Sequence, residues 1–148
     1  MEEQLPLDEQ FCFTVNETHK LFNKFYQKAL EDYKLTYTQY TVLLALWEED
    51  NRHLKELAYI LSLNSNTLTP LLRRMEEQGW LVRHKPKEDK RQLMIRLTEK
   101  GRASKDSIQA SVRSCGACLS GLSEEEYRTA LLFLKKINQA LREDKKPD

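Results

Sequence analysis

The chain has 148 residues, 40% of them hydrophobic, with 24 basic against 23 acidic side chains and three cysteines. One good core is within reach of that length, and no apolar run approaches the roughly 20 residues of a membrane span. The start MEEQLPLDEQ is acidic, unlike a signal or transit peptide, so a single cytoplasmic domain over 1–148 is expected.

The net charge of +1 hides a division along the chain. Up to Asp50 there are 4 basic and 10 acidic residues, from Asn51 to Lys105 there are 13 and 6, and beyond that 7 of each. A basic middle suits phosphate binding, with the acidic end kept off the polyanion. Only 4 Gly and 4 Pro are present, so helix should dominate.

The first 35 residues read as one long helix on the pattern Phe11, Val15, Phe22, Phe25, Ala29, Tyr33, with Asp8 as its cap. Beside that stripe runs a mixed one: Cys12, Asn16, His19 and Tyr26. A second helix spans Leu35 to Asp50, starting at Thr36 or Thr38, with Tyr40, Leu43, Leu44 and Trp47 on one face. Arg52 and His53 form a candidate short strand.

Leu54, Leu57, Ala58 and Leu61 then mark a short amphipathic helix. The run NSNTLTPLLRRMEEQ follows, with Asn64, Ser65 and Asn66 able to cap its start and Gly79 to stop it. Leu68, Leu71, Leu72 and Met75 form its buried face. Ser65, Asn66, Thr67, Thr69, Pro70, Arg73 and Arg74 remain on the other, with no acid until Glu76. Amides and hydroxyls near a helix start can bond base edges, and guanidinium groups a turn later reach phosphate or guanine. Pro70, taken as lying within the first turn or so, costs little.

After Gly79 the period alternates. WLVRHK and QLMIRL read as two strands, with Leu81, Leu93, Ile95 and Leu97 on the covered side, joined by the turn PKEDKR. Lys85, Lys87, Lys90 and Arg91 make its tip basic. A sparse helix runs from Thr98 to about Cys115. Ser123 and Glu126 form a capping box for a last helix on Tyr127, Ala130, Leu131, Leu134, Ile137 and Leu141. Aromatic and leucine faces at both ends exceed what a DNA-reading unit needs for its own core, which points to a homodimer.

The order helix, helix, basic hairpin, together with EDKRQLMIRLTEKG, resembles the winged helix-turn-helix of the MarR family of bacterial repressors over Leu54 to Gly101. NSNTLTPLLRRMEEQGWL is similar to the OhrR subgroup. The resemblance implies a mainly α fold with a small β-hairpin wing, a winged helix-turn-helix of about 36–101, and dimerisation helices of about 8–34 and 102–143. It implies a homodimer on double-stranded DNA with an inverted-repeat operator, Asp89 as a structural residue of the wing, and Lys87, Lys90 and Arg91 among the DNA contacts.

From the residues alone, Cys12 is either a small packed apolar side chain or a thiolate near a helix start, where the macrodipole favours the anion while Asp8 and Glu9 oppose it. OhrR-type repressors release DNA when organic hydroperoxide oxidises a cysteine in a motif similar to QFCF. The resemblance therefore implies that Cys12 senses oxidant, that Tyr26 and Tyr37 bond it across the dimer, and that Cys115 or Cys118 of the other subunit resolves it as a disulfide. Asn16 departs from the pattern, which has an aromatic hydroxyl there.

Other readings stay open. SCGAC could pair with itself, or the three cysteines with His19 could hold zinc, although the motif lacks a second pair. The effector could be a small aromatic or phenolic ligand. A thiol peroxidase or disulfide oxidoreductase is the rival from another class. No phosphate loop, metal cluster or triad motif stands out, so neither catalysis nor a cofactor is expected.

Overall fold

The computed structural model describes residues 4–115, 119 and 121–143, which fall into two compact units divided after Cys115. The first contains α1 (Phe11–Ala29), α2 (Tyr37–Glu48), β1 (Arg52–His53), α3 (Leu54–Ile60), α4 (Ser65–Glu77), β2 (Leu81–His84), β3 (Met94–Leu97), α5 (Glu99–Ala103) and α6 (Lys105–Cys115). The second contains α7 (Glu124–Glu143). Among the described residues no helix is long and apolar enough to cross a membrane.

The first helix is shorter than its pattern implies. Asp8 does not cap it: Asp8 lies inside a separate 3-10 turn, Leu7–Glu9, and Gln10 precedes α1 without a side-chain cap bond. At the other end the helix stops at Ala29, a second 3-10 turn spans Glu31–Tyr33, and Lys34 takes a left-handed φ of 53°. Leu30 and Leu35, either side of that turn, are both buried, so core packing overrides the helical period there.

α2 begins as expected at Thr36, whose hydroxyl accepts from Gln39 N–H while the Gln39 side chain accepts from Thr36 N–H, a reciprocal capping box. The sheet is antiparallel in the order β1-β3-β2, so the faint third strand at Arg52 and His53 does form. Leu81, Ile95 and Leu97 are buried and Leu93 packs partly against them, on the side the alternation selects.

Leu68, Leu72 and Met75 seat α4 on the core with Leu43, Leu46 and Leu57, and each such side chain contributes about 1.5–3 kcal/mol by leaving water. Asn64 caps α4 through its side chain, which accepts from Thr67 N–H at 2.9 Å. At its C-terminus Trp80 N–H donates to Met75 C=O and Gly79 N–H to Glu76 C=O, with Gly79 at φ 82°. That pair of bonds closes the last turn and sends the chain into β2.

Two further expectations change. Pro70 is the sixth residue of α4, in the second turn rather than the first. The helix from Thr98 is two helices broken at Ser104, where α5 ends. Gly101 explains why α5 lies so close to the body: a Cβ there would meet the Trp80 carbonyl oxygen at 2.3 Å. The indole N–H of Trp47 donates to Gly101 C=O at 2.9 Å, tying α2 to α5.

In the second unit, Ser123 and Glu126 form the expected reciprocal cap of α7.

Candidate nucleic-acid interface and thiol site

One face of the first unit carries most of the candidate DNA contacts. Ser65, Asn66, Thr67, Pro70, Arg73 and Arg74 are exposed along α4, and Thr69 is half-buried with its hydroxyl donating to Ser65 C=O. α4 thus presents amides and hydroxyls at its first turn, then two cations, with its apolar face buried beneath. Thr36, Thr38 and Arg74 help line a groove of about 390 Å³ where the start of α2 meets α4.

The turn between β2 and β3 carries Lys87, Lys90 and Arg91, all exposed. Asp89 shapes it: its carboxylate accepts from Arg91 N–H at 3.0 Å and from Arg91 Nε at 3.3 Å. The Arg91 side chain is 92% exposed even so, its guanidinium paired with Asp89 through Nε alone. Asp50, a residue not singled out from sequence, fixes the other margin of the sheet. Its Oδ1 accepts from Leu97 N–H at 2.9 Å and its Oδ2 lies 3.7 Å from Arg102. Arg52, buried, donates Nε to Ala45 and Glu49 carbonyls and pairs with Glu56, pinning β1 to the end of α2.

The thiol residues lie elsewhere. Cys12 is exposed in the first turn of α1, among the exposed apolar side chains of Phe11, Phe13 and Val15. Tyr26 and Tyr37 are together, ring centroids 4.6 Å apart, with Tyr40 5.8 Å from Tyr26. Burial, and then the neighbouring Tyr37, push the Tyr40 hydroxyl above its ordinary pKa, while Arg113 opposes the shift, so Tyr40 remains a neutral phenol. Tyr40 was legible only as a core residue; its place three residues after Tyr37 on one helix is the signal that links it to the tyrosine pair.

The structure does not bring Cys12 to these tyrosines within one chain. Fourteen residues of continuous helix separate Cys12 from Tyr26, about 21 Å. Nor does it bring Cys12 to Cys115. Ser111 of α6 donates its hydroxyl to Ala29 C=O at 2.8 Å, which fixes α6 against the far end of α1, about 26 Å from Cys12. Cys115 is one turn from Ser111, so the two cysteines of one chain stand at least about 11 Å apart, beyond the ~7 Å between Cα atoms that a disulfide tolerates. The Cys115 side chain and all of Cys118 lie outside the described residues. His19 bonds Asn23 at 3.1 Å, and among the described residues no cluster of His, Cys, Asp or Glu is placed to hold a metal.

Comparison with known proteins bears on the fold and the family. The pattern of the family described as "Transcriptional regulator SarA/Rot" fits residues 24–108. The organic hydroperoxide resistance transcriptional regulator of Bacillus subtilis (strain 168) is 38% identical over 139 residues, 94% of this chain and 89% of the relative. Reduced AbfR bound to DNA superposes with a TM-score of 0.82 at 38% identity, covering 96% of both chains. AbfR, also solved as the Staphylococcus epidermidis protein, has an overoxidised form bound to DNA at 0.79 and a disulfide form at 0.68, each covering 95% of this chain. A mutant of Escherichia coli MarR complexed with operator DNA superposes at 0.76 with 25% identity, covering 84% of this chain and 90% of its own. With a basic wing, a capped polar helix and relatives of this kind, the chain belongs to the SarA/Rot family of MarR-like winged-helix transcriptional regulators.

Proposed function

We propose that this regulator is a homodimeric repressor that leaves an inverted-repeat operator when organic hydroperoxide oxidises Cys12. α4 reads the major groove through Ser65, Asn66, Thr67, Thr69 and Pro70. Arg73 and Arg74, with Lys87, Lys90 and Arg91 of the wing, supply phosphate or minor-groove contacts. Exposed apolar residues of α1 in the first unit and of α7 in the second give two chains surfaces to bury against each other.

The observation that carries the reading is the length of α1. It holds an exposed thiol about 21 Å from the tyrosine pair, so Tyr26 and Tyr37 can bond a thiolate only if it arrives from a second chain. The same geometry disfavours an in-chain bridge to Cys115. In the chemistry proposed, the Cys12 thiolate attacks the outer peroxide oxygen, the O–O bond breaks and the alcohol leaves with a proton. The thiolate of Cys115 or Cys118 of the other subunit then attacks the sulfenic sulfur and breaks the S–O bond, and the departing hydroxide takes up a proton. A disulfide forms and water departs. AbfR supports a conformational consequence, since this chain matches its disulfide form less closely than its reduced, DNA-bound form.

The test is a non-reducing gel with mass mapping after treatment with an organic hydroperoxide, run beside a DNA-release assay. A band of twice the monomer mass containing Cys12 joined to Cys115 or Cys118 is expected, and Cys12→Ser should abolish both the band and release. Release that persists in Cys12→Ser refutes thiol sensing. Release of Cys12→Ser by a phenolic acid alone would favour a small-ligand effector instead.

A further inference from the structure

Glu76 is anomalous for its place. It is the first acid on α4, in the last turn of an element otherwise suited to a polyanion, and its charge should repel phosphate. Its carboxylate is committed elsewhere. Oε2 accepts from Arg83 N–H at 2.7 Å, and Oε1 accepts from Arg83 Nε at 3.2 Å and from Arg83 Nη2 at 3.1 Å. These bonds hold the carboxyl below the usual carboxylate range, the backbone N–H contributing most. Both side chains are partly shielded, 22% exposed for Arg83 and 33% for Glu76.

The position of Arg83 gives the pair its meaning. β2 is one of the two outer strands of the sheet, bonded on one side only, and the Arg83 N–H that Glu76 takes points to the open side. Arg83 is also the last residue but one of β2, where the hairpin leaves the body and runs out to Lys87, Lys90 and Arg91. On the opposite margin, His84 Nε2 meets Asn51 Oδ1 at 3.0 Å. The wing is therefore tied at its root from two sides, and the tie facing α4 is Glu76.

We propose that Glu76 and Arg83 are a positioning pair that sets the wing's angle against α4, so that Arg91 and the reading helix engage neighbouring grooves together. Neither residue needs to touch DNA. The inference rests on the reading of Arg91 as a wing contact. It makes the acid on α4 a specificity device: a wing held at one angle accepts only duplexes whose minor groove lies at the matching spacing from the bases read by α4.

Charge and position make opposite demands. Glu76→Gln removes a negative charge and frees a guanidinium, both of which favour phosphate, so weaker binding by that variant cannot come from charge. The probe is the tightest duplex recovered from a random-sequence pool with the unaltered protein. Its affinity and salt slope are measured for Glu76→Gln, Arg91→Ala and the double variant, with Arg83→Lys as a second disruption that keeps charge.

Glu76→Gln is expected to weaken binding about fivefold when Arg91 is present and less than about twofold in the Arg91→Ala background, a coupling typical of one network. Arg83→Lys should follow in the same direction. Equal losses in both backgrounds, or tighter binding by Glu76→Gln, would overturn the positioning role while leaving the wing contact intact. If Arg91→Ala changes neither affinity nor slope, the wing contact itself falls, and the positioning role with it.

Discussion

A mixed dimer tests the geometry of the thiol site most directly. One chain carries Cys12→Ser, the other Tyr26→Phe with Tyr37→Phe, and two affinity tags isolate the heterodimer. Because α1 separates Cys12 from Tyr26 by about 21 Å, some six times the reach of a hydrogen bond, a tyrosine-supported thiol must draw on both chains. The single Cys12 in this heterodimer then faces two intact tyrosines of its partner, and one complete site survives. A hydrogen bond to an ionised group contributes about 1.5–3 kcal/mol, so losing even one from the thiolate is worth a factor of about ten or more in its population. The Tyr26→Phe, Tyr37→Phe homodimer should therefore react with hydroperoxide at least about tenfold more slowly than the unaltered protein. The heterodimer should show one fast thiol per dimer at the unaltered rate, read by stopped-flow competition with a thiol-labelling dye. If its thiol reacts as slowly as in the tyrosine-variant homodimer, the tyrosines act within their own chain and the trans-site reasoning is wrong.

Two glycines make a paired stability test. Gly101→Ala drives a methyl against the Trp80 carbonyl and strains the Trp47 indole bond, so a loss of roughly 2–4 kcal/mol and a midpoint lower by roughly 5–15 °C are expected in thermal melts at fixed protein concentration. Gly121→Ala, where a Cβ meets nothing within 4 Å, should stay within about 1 kcal/mol of the parent, and a similar loss at both positions would discredit the packing argument. Because its folded-state pKa is depressed, the carboxyl of Glu76 contributes stability that is present above the usual carboxylate range and lost as pH falls through and below it. In urea titrations the stability gap between the parent and Glu76→Gln should be full near pH 7 and shrink toward about pH 3; a gap independent of pH contradicts it.

Much of this fold could be read from residues because its local signals agree with its packing. Asn64 at the head of α4, Gly79 at its foot and the alternation of Leu93, Ile95 and Leu97 each have one low-energy solution. Errors arose where a tertiary demand displaced a local one. Asp8 is a good cap by type, yet the chain enters α1 through a separate turn. The helix from Thr98 breaks at Ser104 because α5 must lie against Trp80 at Gly101. The exposed polar face of α4 followed from its period, whereas the Glu76–Arg83 and Asp50–Leu97 links could not. Asp50 and Leu97 lie far apart in sequence, and although Glu76 and Arg83 are only seven residues apart across the turn at Gly79, no spacing encodes which carboxylate finds which strand edge. The proposed thiol site is a third case: Cys12 and the tyrosine pair stand out by residue type, but one copy of the chain holds them about 21 Å apart.

Pro70 has a consequence of its own. Without an amide hydrogen it gives Asn66 C=O no partner one turn on, so a main-chain oxygen near the exposed start of α4 lacks its regular helical bond. Replacing the Asn66 side chain leaves that oxygen where it is. A scan that trims side chains one by one would pass over it, and only exchange of the proline itself rewrites the main-chain lettering that this surface offers.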